Sequence, residues 1–219
     1  MAFPSVYEMF VEDLTTVRKQ HFWEYFSGAT VRTPRIWKTT LVGSATISIA
    51  DEVNGGVKLS TTGASQKATM STGGDGNPAS RQFNYQDCTF IASFKFDATQ
   101  ASTIQAIALS NGSIGSPRDS GLHTAGISDS VNGGVIYVDH GDGSGAVINT
   151  ATTKATDTNF HTVKISLNSS SHITTTIDGD AIGSTITSDV PAHRMAPNIH
   201  LDSGTTKNLH VNYLEVFNT

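Results

Sequence analysis

The sequence predicts an all-β domain, a two-sheet antiparallel jelly-roll sandwich with a short N-terminal helix, and three observations carry this reading. Charged residues make up only 15% of the 219 residues while Ser, Thr, Gly and Asn are abundant, so solubility rests on hydroxyls and amides. That balance suits pleated strands and tight turns. From Ala29 onward, short alternating stretches recur between turn signals about every ten residues, as an antiparallel sandwich requires. A chain of this length fits around a single core when it is a sandwich.

The elements follow in order. Phe3, Val6, Tyr7, Phe10, Leu14 and Val17 recur at three- and four-residue spacing, which predicts an amphipathic helix with Ser5 and Glu8 as a capping box. The character changes near residue 28, dividing the chain into a helical arm over residues 1–28 and a sandwich over residues 29–219. The six apolar residues of the arm are candidates for contact with a partner subunit; packing on the chain's own sandwich explains the stripe as well. Phe90, Ala92, Phe94 and Phe96 alternate with Ile91, Ser93 and Lys95, predicting a core strand that turns three rings inward. Ile104, Ala106 and Ala108 repeat the pattern. Val135, Tyr137 and Asp139 share one face of the next stretch, and Ile136 and Val138 the other. Residues 163–167 and 173–177 read as a hairpin through Asn168-Ser169-Ser170-Ser171. In the last strand Leu209, Val211, Tyr213, Glu215 and Phe217 form one alternating set.

The run from Phe160 to Leu167, followed by Ile173-Thr174-Thr175-Thr176-Ile177-Asp178-Gly179, resembles the concanavalin A-like and laminin-G-like superfamily. In that superfamily an aromatic-His strand start leads into a hairpin closed by an Asp-Gly turn. Residues 54–63 and 209–217 are similar to its early and final strands. The arrangement of Phe22-Trp23-Glu24-Tyr25-Phe26 ahead of Trp37 also looks like structural proteins of tailed bacteriophages. That likeness implies a capsid decoration subunit or a tail or fibre module.

The net charge of −5, with 14 scattered Lys and Arg, argues against nucleic-acid binding, which needs a basic stripe. No apolar run is long enough to span a bilayer, the N-terminus is unlike a signal peptide, and Cys88 stands alone, so no intrachain disulfide forms. Synthesis in the host cytoplasm is expected. Glycosidases need two carboxyls flanking one sugar bond; the glucanase pattern Glu-x-Asp-x-x-Glu is absent, and Asp178 with Asp180 reads as a turn. The eight His show no metal-ligand spacing. Calcium is the ion that the resemblance favours, with Asp139 and Asp142 in one Gly-rich loop and Asp75 in another as candidate ligands; Asp-Gly turn chemistry competes with it. Sugar binding needs an aromatic platform, for which Trp23, Trp37 and Tyr137 are the candidates; alternatively Trp23 and Trp37 staple the N-terminal segment to the sandwich.

These readings lead to a non-enzymatic virion structural protein with no catalytic residues and no required cofactor, attached to a capsid or tail partner and expected to be a homo-oligomer. The competing expectation is a lectin-like module of a phage tail or fibre that binds a surface glycan or host receptor.

Overall fold

The computed structural model describes residues 11–12, 19–26, 37–50, 55–73, 83–97, 103–112, 116–130, 134–170 and 172–218. Sixteen strands are formed among them: β1 (Val11–Glu12), β2 (Lys19–Tyr25), β3 (Lys38–Val42), β4 (Thr46–Ile49), β5 (Val57–Thr62), β6 (Gln66–Ser71), β7 (Cys88–Phe96) and β8 (Thr103–Ser110) come first. Then follow β9 (His123–Ser130), β10 (Val135–Asp142), β11 (Ile148–Ala155), β12 (His161–Leu167), β13 (Ile173–Ile177), β14 (Asp180–Ala181), β15 (Ala196–Ser203) and β16 (Thr206–Asn218). They build two antiparallel sheets. One runs β1-β2-β16-β7-β12-β13-β14, with β5 pairing the first half of β16 and carrying β4; the other runs β11-β10-β9-β8-β15-β6-β3. The jelly-roll sandwich read from the sequence is the fold.

Between the sheets lies one apolar core. Phe90, Ala92, Phe94 and Phe96 are all buried, as their alternation required, and face Ile107, Leu109, Ile127, Ile199 and Leu201 of the second sheet. Removing several fully buried phenylalanines from water supplies the main driving force for closing the two layers. The hairpin of β12 and β13 forms as read, with Val163 opposite Ile177 and Leu167 opposite Ile173. Asn168 shapes its turn, the side-chain oxygen accepting from the amides of Ser170 and His172.

Three sequence expectations change. The described part of the expected helix, Val11–Glu12, is a strand paired with Lys19–Gln20, and among the described residues there is no helix. Phe3, Val6, Tyr7, Phe10, Leu14 and Val17 lie outside the described residues. At Val11–Glu12 strand pairing prevails, because β2 offers an open sheet edge. Within the span assigned to the arm, β2 pairs with β16 and buries Phe22, with Phe26 just beyond it, so the sandwich already includes residues 19–26. In β16 the alternation switches parity: the register with β7 shifts between Val211 and Tyr213. Leu209 and Val211 are core residues before this bulge, and Leu214 and Val216 after it. An inserted residue reverses which face each later side chain takes. Gly56 permits it; a Cβ there would lie 2.5 Å from the Asn212 side-chain oxygen, and its φ is +136°.

Candidate functional site

The central strands of the seven-stranded sheet, β8 and β15 above all, are buried on both faces, yet only one face meets the other sheet. On its outer face, strand pairing aligns two rungs across six strands. One runs Tyr137, Ser128, Ala106, His200, Thr69, Thr40. The adjacent one runs Asp139, Gly126, Ala108, Asn198, Ser71, Lys38. The middle of both rungs is a floor of small residues, and polar groups rise on either side. At Gly126 the floor is tight, since a Cβ would sit 2.3 Å from that of Ala108. Ser128, Asp139, Asn198 and His200 are essentially inaccessible to solvent, and Thr69 and Ser71 are equally buried.

The segment Ser116–Leu122 folds onto one end of this face. Thr124 donates its hydroxyl to the Pro117 carbonyl (2.7 Å), and the Gly121 amide donates to Gly145 (2.7 Å). The segment delivers Arg118, whose guanidinium donates to Asn149. Asn149 in turn donates to Asp139 Oδ1 at 2.6 Å, and Arg118 Nε stands 3.8 Å from the same oxygen, an ion-pair distance rather than a hydrogen bond. Burial pushes the Asp139 carboxyl above the usual carboxylate range, against the pull of Arg118. Across the floor, His200 Nδ1 lies 2.7 Å from the Thr69 hydroxyl. Burial lowers the pKa of this imidazole to about 4, so it is neutral at neutral pH.

By distance and angle four buried polar atoms here stay without a protein hydrogen-bond partner, Arg118 Nε, Ser128 Oγ, Asp139 Oδ2 and His200 Nε2, although the Ser128 hydroxyl lies near enough to the Asp139 carboxyl to help hold its charge. Buried polar groups are nearly always matched. Water or a hydroxyl-bearing group over this small-residue floor would satisfy these donors and acceptors.

The sequence-derived candidates are distributed unevenly. Tyr137 stands on the first rung, beside Ser128, and belongs to this face. Trp37 is fully buried in the core between Phe22 and Phe26 and donates to Glu24 (3.4 Å); it is a staple and offers no platform. Trp23 lies on the outer face of the other sheet, against Tyr25. Asp139 and Asp142 do not converge as calcium ligands, because residues three apart on a strand take opposite faces. Asp142 instead accepts from the Ser144 amide and hydroxyl, at 2.9 and 2.6 Å. Asp75 lies outside the described residues. Among the described residues no group of three or more His, Cys, Asp or Glu is gathered as a metal site, and no helix is long and apolar enough to cross a membrane.

Sequence reasoning missed Arg118, Ser128, Asn149 and His200 as one group. The available signal was chemical: the alternating sets Thr124, Gly126, Ser128 and Asn198, His200 carry hydroxyls, an amide and an imidazole where a solvent face ordinarily carries Lys or Glu.

A carboxyl pair within reach of one sugar bond, about 5–10 Å apart, is not formed by the two acids that the strands of this face carry, Asp139 and Asp202. Three strands and four residues separate them, about 20 Å at ordinary sheet spacings.

No family model and no curated protein matches the sequence. Solved structures do match the fold. A β-1,3-1,4-glucanase (lichenase) derived from a mouse hindgut metagenome superimposes with a TM-score of 0.64 at 12% identity, over 90% of this chain and 98% of its own. The catalytic domain of an endo-1,3-β-glucanase (laminarinase) from Thermotoga petrophila gives 0.64 at 11% identity, over 98% of both chains. An immunostimulatory antigen and pseudo β-1,3-glucanase of Mycobacterium tuberculosis gives 0.63 at 15% identity, over 90% of this chain and 98% of its own. At such identities the likeness establishes the fold alone, the two-sheet concanavalin A-like jelly roll that these proteins share. It also corrects the expectation of a non-enzymatic virion protein, whether decoration subunit or fibre module: the full-length matches named here are glucanases and a glucanase-like protein, and none of them is a particle subunit.

Proposed function

We propose that this chain is a carbohydrate-active protein of the glucanase type, which holds a β-linked glucan across the outer face of its seven-stranded sheet. The observation that carries this reading is the coincidence of a glucanase fold with four unmatched buried polar atoms over a floor of Ala106, Ala108 and Gly126. A glucan presents hydroxyls at close intervals, and each of those atoms can take one in a dry site where a hydrogen bond counts for more than in water. Tyr137 supplies an aromatic edge at one end of the first rung. Asp139, shifted toward its protonated form by burial, is suited to donating a hydrogen bond or a proton to a sugar oxygen. Ligand entry requires Ser116–Leu122 to part from β9, breaking the contacts through Pro117 and Gly121.

The test combines binding and turnover. The whole protein is titrated calorimetrically with laminarin, lichenan and barley mixed-linkage glucan, and reducing ends are measured in parallel. Saturable binding or hydrolysis of one of these, weakened at least tenfold in Asp139→Asn and Ser128→Ala, is expected. Absence of both binding and turnover on the whole panel would overturn the reading.

A further inference from the structure

The opposite side of the sandwich carries a second organised surface. On the outer face of the nine-stranded sheet, β2 and β16 place Tyr25 opposite Tyr213, Trp23 opposite Glu215 and His21 opposite Phe217. The rings touch in sequence: Trp23 to Tyr25 edge-on with centroids 5.7 Å apart, and Tyr25 to Tyr213 at 4.6 Å. Tyr25 is 51% exposed, the most exposed large apolar side chain among the described residues. The acid in this strip is already engaged. Glu215 accepts from the Tyr213 hydroxyl (2.5 Å) with one oxygen and contacts His21 Nε2 (2.7 Å) with the other. The rung that begins Tyr25, Tyr213 continues across the sheet as Ser93 and Thr162.

We propose that this strip is a second carbohydrate-binding surface, taking an uncharged polysaccharide chain along Trp23, Tyr25 and Tyr213 on the side of the molecule away from the rungs of Asp139 and His200. The inference rests on the reading of the protein as carbohydrate-active. A sugar ring is apolar on its faces and polar at its edge, and this rung has the matching order, two contacting rings followed by two hydroxyls. Aromatic groups with an apolar body and a wet rim serve such half-polar ligands. Charge selects the occupant. Glu215 is held by the Tyr213 hydroxyl and by His21, and Lys164 lies two strands away on the same rung, so the strip carries no cluster of one charge sign to select an acidic or basic partner. A second copy of the chain is a poorer occupant, since these rings fall far short of the roughly 1,000 Å² that a specific interface buries.

The chain holds two tryptophans. Trp37 is fully buried, while Trp23 is partly exposed within the strip, so a ligand-dependent change in emission reports on Trp23. The whole protein is titrated with laminarin and with barley mixed-linkage glucan while tryptophan emission and calorimetric heat are both read, and size-exclusion light scattering follows its mass. A saturable emission change is expected, with its midpoint moved at least tenfold by Tyr25→Ala, restored by Tyr25→Phe, and unmoved by Asp139→Asn. Three outcomes overturn the proposal: heat or turnover with silent emission, an emission change that follows Asp139 instead of Tyr25, or a Tyr25-dependent dimer with no glucan response. The first two leave the glucan site on the other sheet standing; absence of heat, turnover and emission change together removes both.

Discussion

The two outer faces of this sandwich solve opposite problems with the same strand chemistry. On the seven-stranded sheet the outward positions are short and polar, Ser128, Asn198, His200 and Thr69, and they are buried. On the nine-stranded sheet they include Trp23, Tyr25, Tyr213 and Lys164, partly or largely exposed. A solvent face needs charge or amphipathic side chains to stay soluble, and it finds them on the second sheet. A buried polar face must have its hydrogen bonds matched, and on the first sheet four atoms are left over. Unmatched atoms also occur on the nine-stranded sheet, at Thr175, Asn212 and Asn218, so what sets the first face apart is that its four lie around one floor of small residues, where a single ligand could meet them.

The largest effect on this contrast is expected from Arg118→Ala. It removes the cation that opposes the burial of Asp139 and the donor to Asn149; stripping one partner from a buried pair costs up to about 3–5 kcal/mol, reduced to the extent that the carboxyl takes up a proton. A lower urea midpoint with an unchanged slope checks it; an unchanged midpoint would show that Asp139 does not depend on Arg118.

A histidine of each sheet should pull stability in opposite directions with pH. His200 in the seven-stranded sheet has its folded pKa depressed to about 4, below the unfolded 6.5. Its contribution is full above about pH 6.5 and is lost as pH falls toward 4, a range worth roughly 3 kcal/mol. His161 in the nine-stranded sheet is desolvated, yet it is gripped by Asp178 (2.6 Å) and Asp157 (2.8 Å), which raise its pKa overall. Its contribution is full below the unfolded value and is lost as pH rises through the raised one. Thermal melts from pH 4 to 8 should therefore show His200→Gln flattening the acid limb and His161→Gln flattening the neutral limb; parallel curves for the two variants would contradict the assignment.

Gly126→Ala probes the floor. Its Cβ would meet Ala108 at 2.3 Å and the Ile107 carbonyl at 2.8 Å, overpacking that costs about 1–3 kcal/mol. Denaturation midpoints measure it. The smallest effect belongs to the exposed strip, where Tyr25→Ala removes one cross-strand aromatic pair, about 0.2–1 kcal/mol. A larger loss in melting experiments would make the strip a structural element of β2.

The sandwich was legible because alternation in β7, β10 and β12 is uninterrupted, so each side chain's face follows from counting by two. The count failed at the Val211/Tyr213 bulge, where one extra residue moved Tyr213 and Glu215 to the outer face and so created the aromatic strip. Helical spacing in residues 3–17 was equally regular, but Val11–Glu12 pairs with β2, and local periodicity cannot report an available sheet edge. The polar rungs were out of reach for a different reason. Tyr137, Ser128, His200 and Thr69 come from β10, β9, β15 and β6, and only the long-range order of strands aligns them. Of that face the sequence reading reached Tyr137 and Asp139, with Asp139 cast as a calcium ligand beside Asp142. The fold resemblance was sound, whereas its extension to virus particles rested on aromatic arrangement around Trp23 and Trp37, which here serves packing and a surface strip.

The most direct measurement is a crystal structure of the whole protein soaked with a β-1,3 or mixed-linkage glucan oligosaccharide. Sugar density is expected over Ala106, Ala108 and Gly126, with hydroxyls within hydrogen-bond distance of Ser128 Oγ, Asp139 Oδ2 and His200 Nε2 and the Ser116–Leu122 segment displaced. Sugar bound only along Trp23 and Tyr25, with the polar rungs still closed beneath Ser116–Leu122, would contradict this expectation.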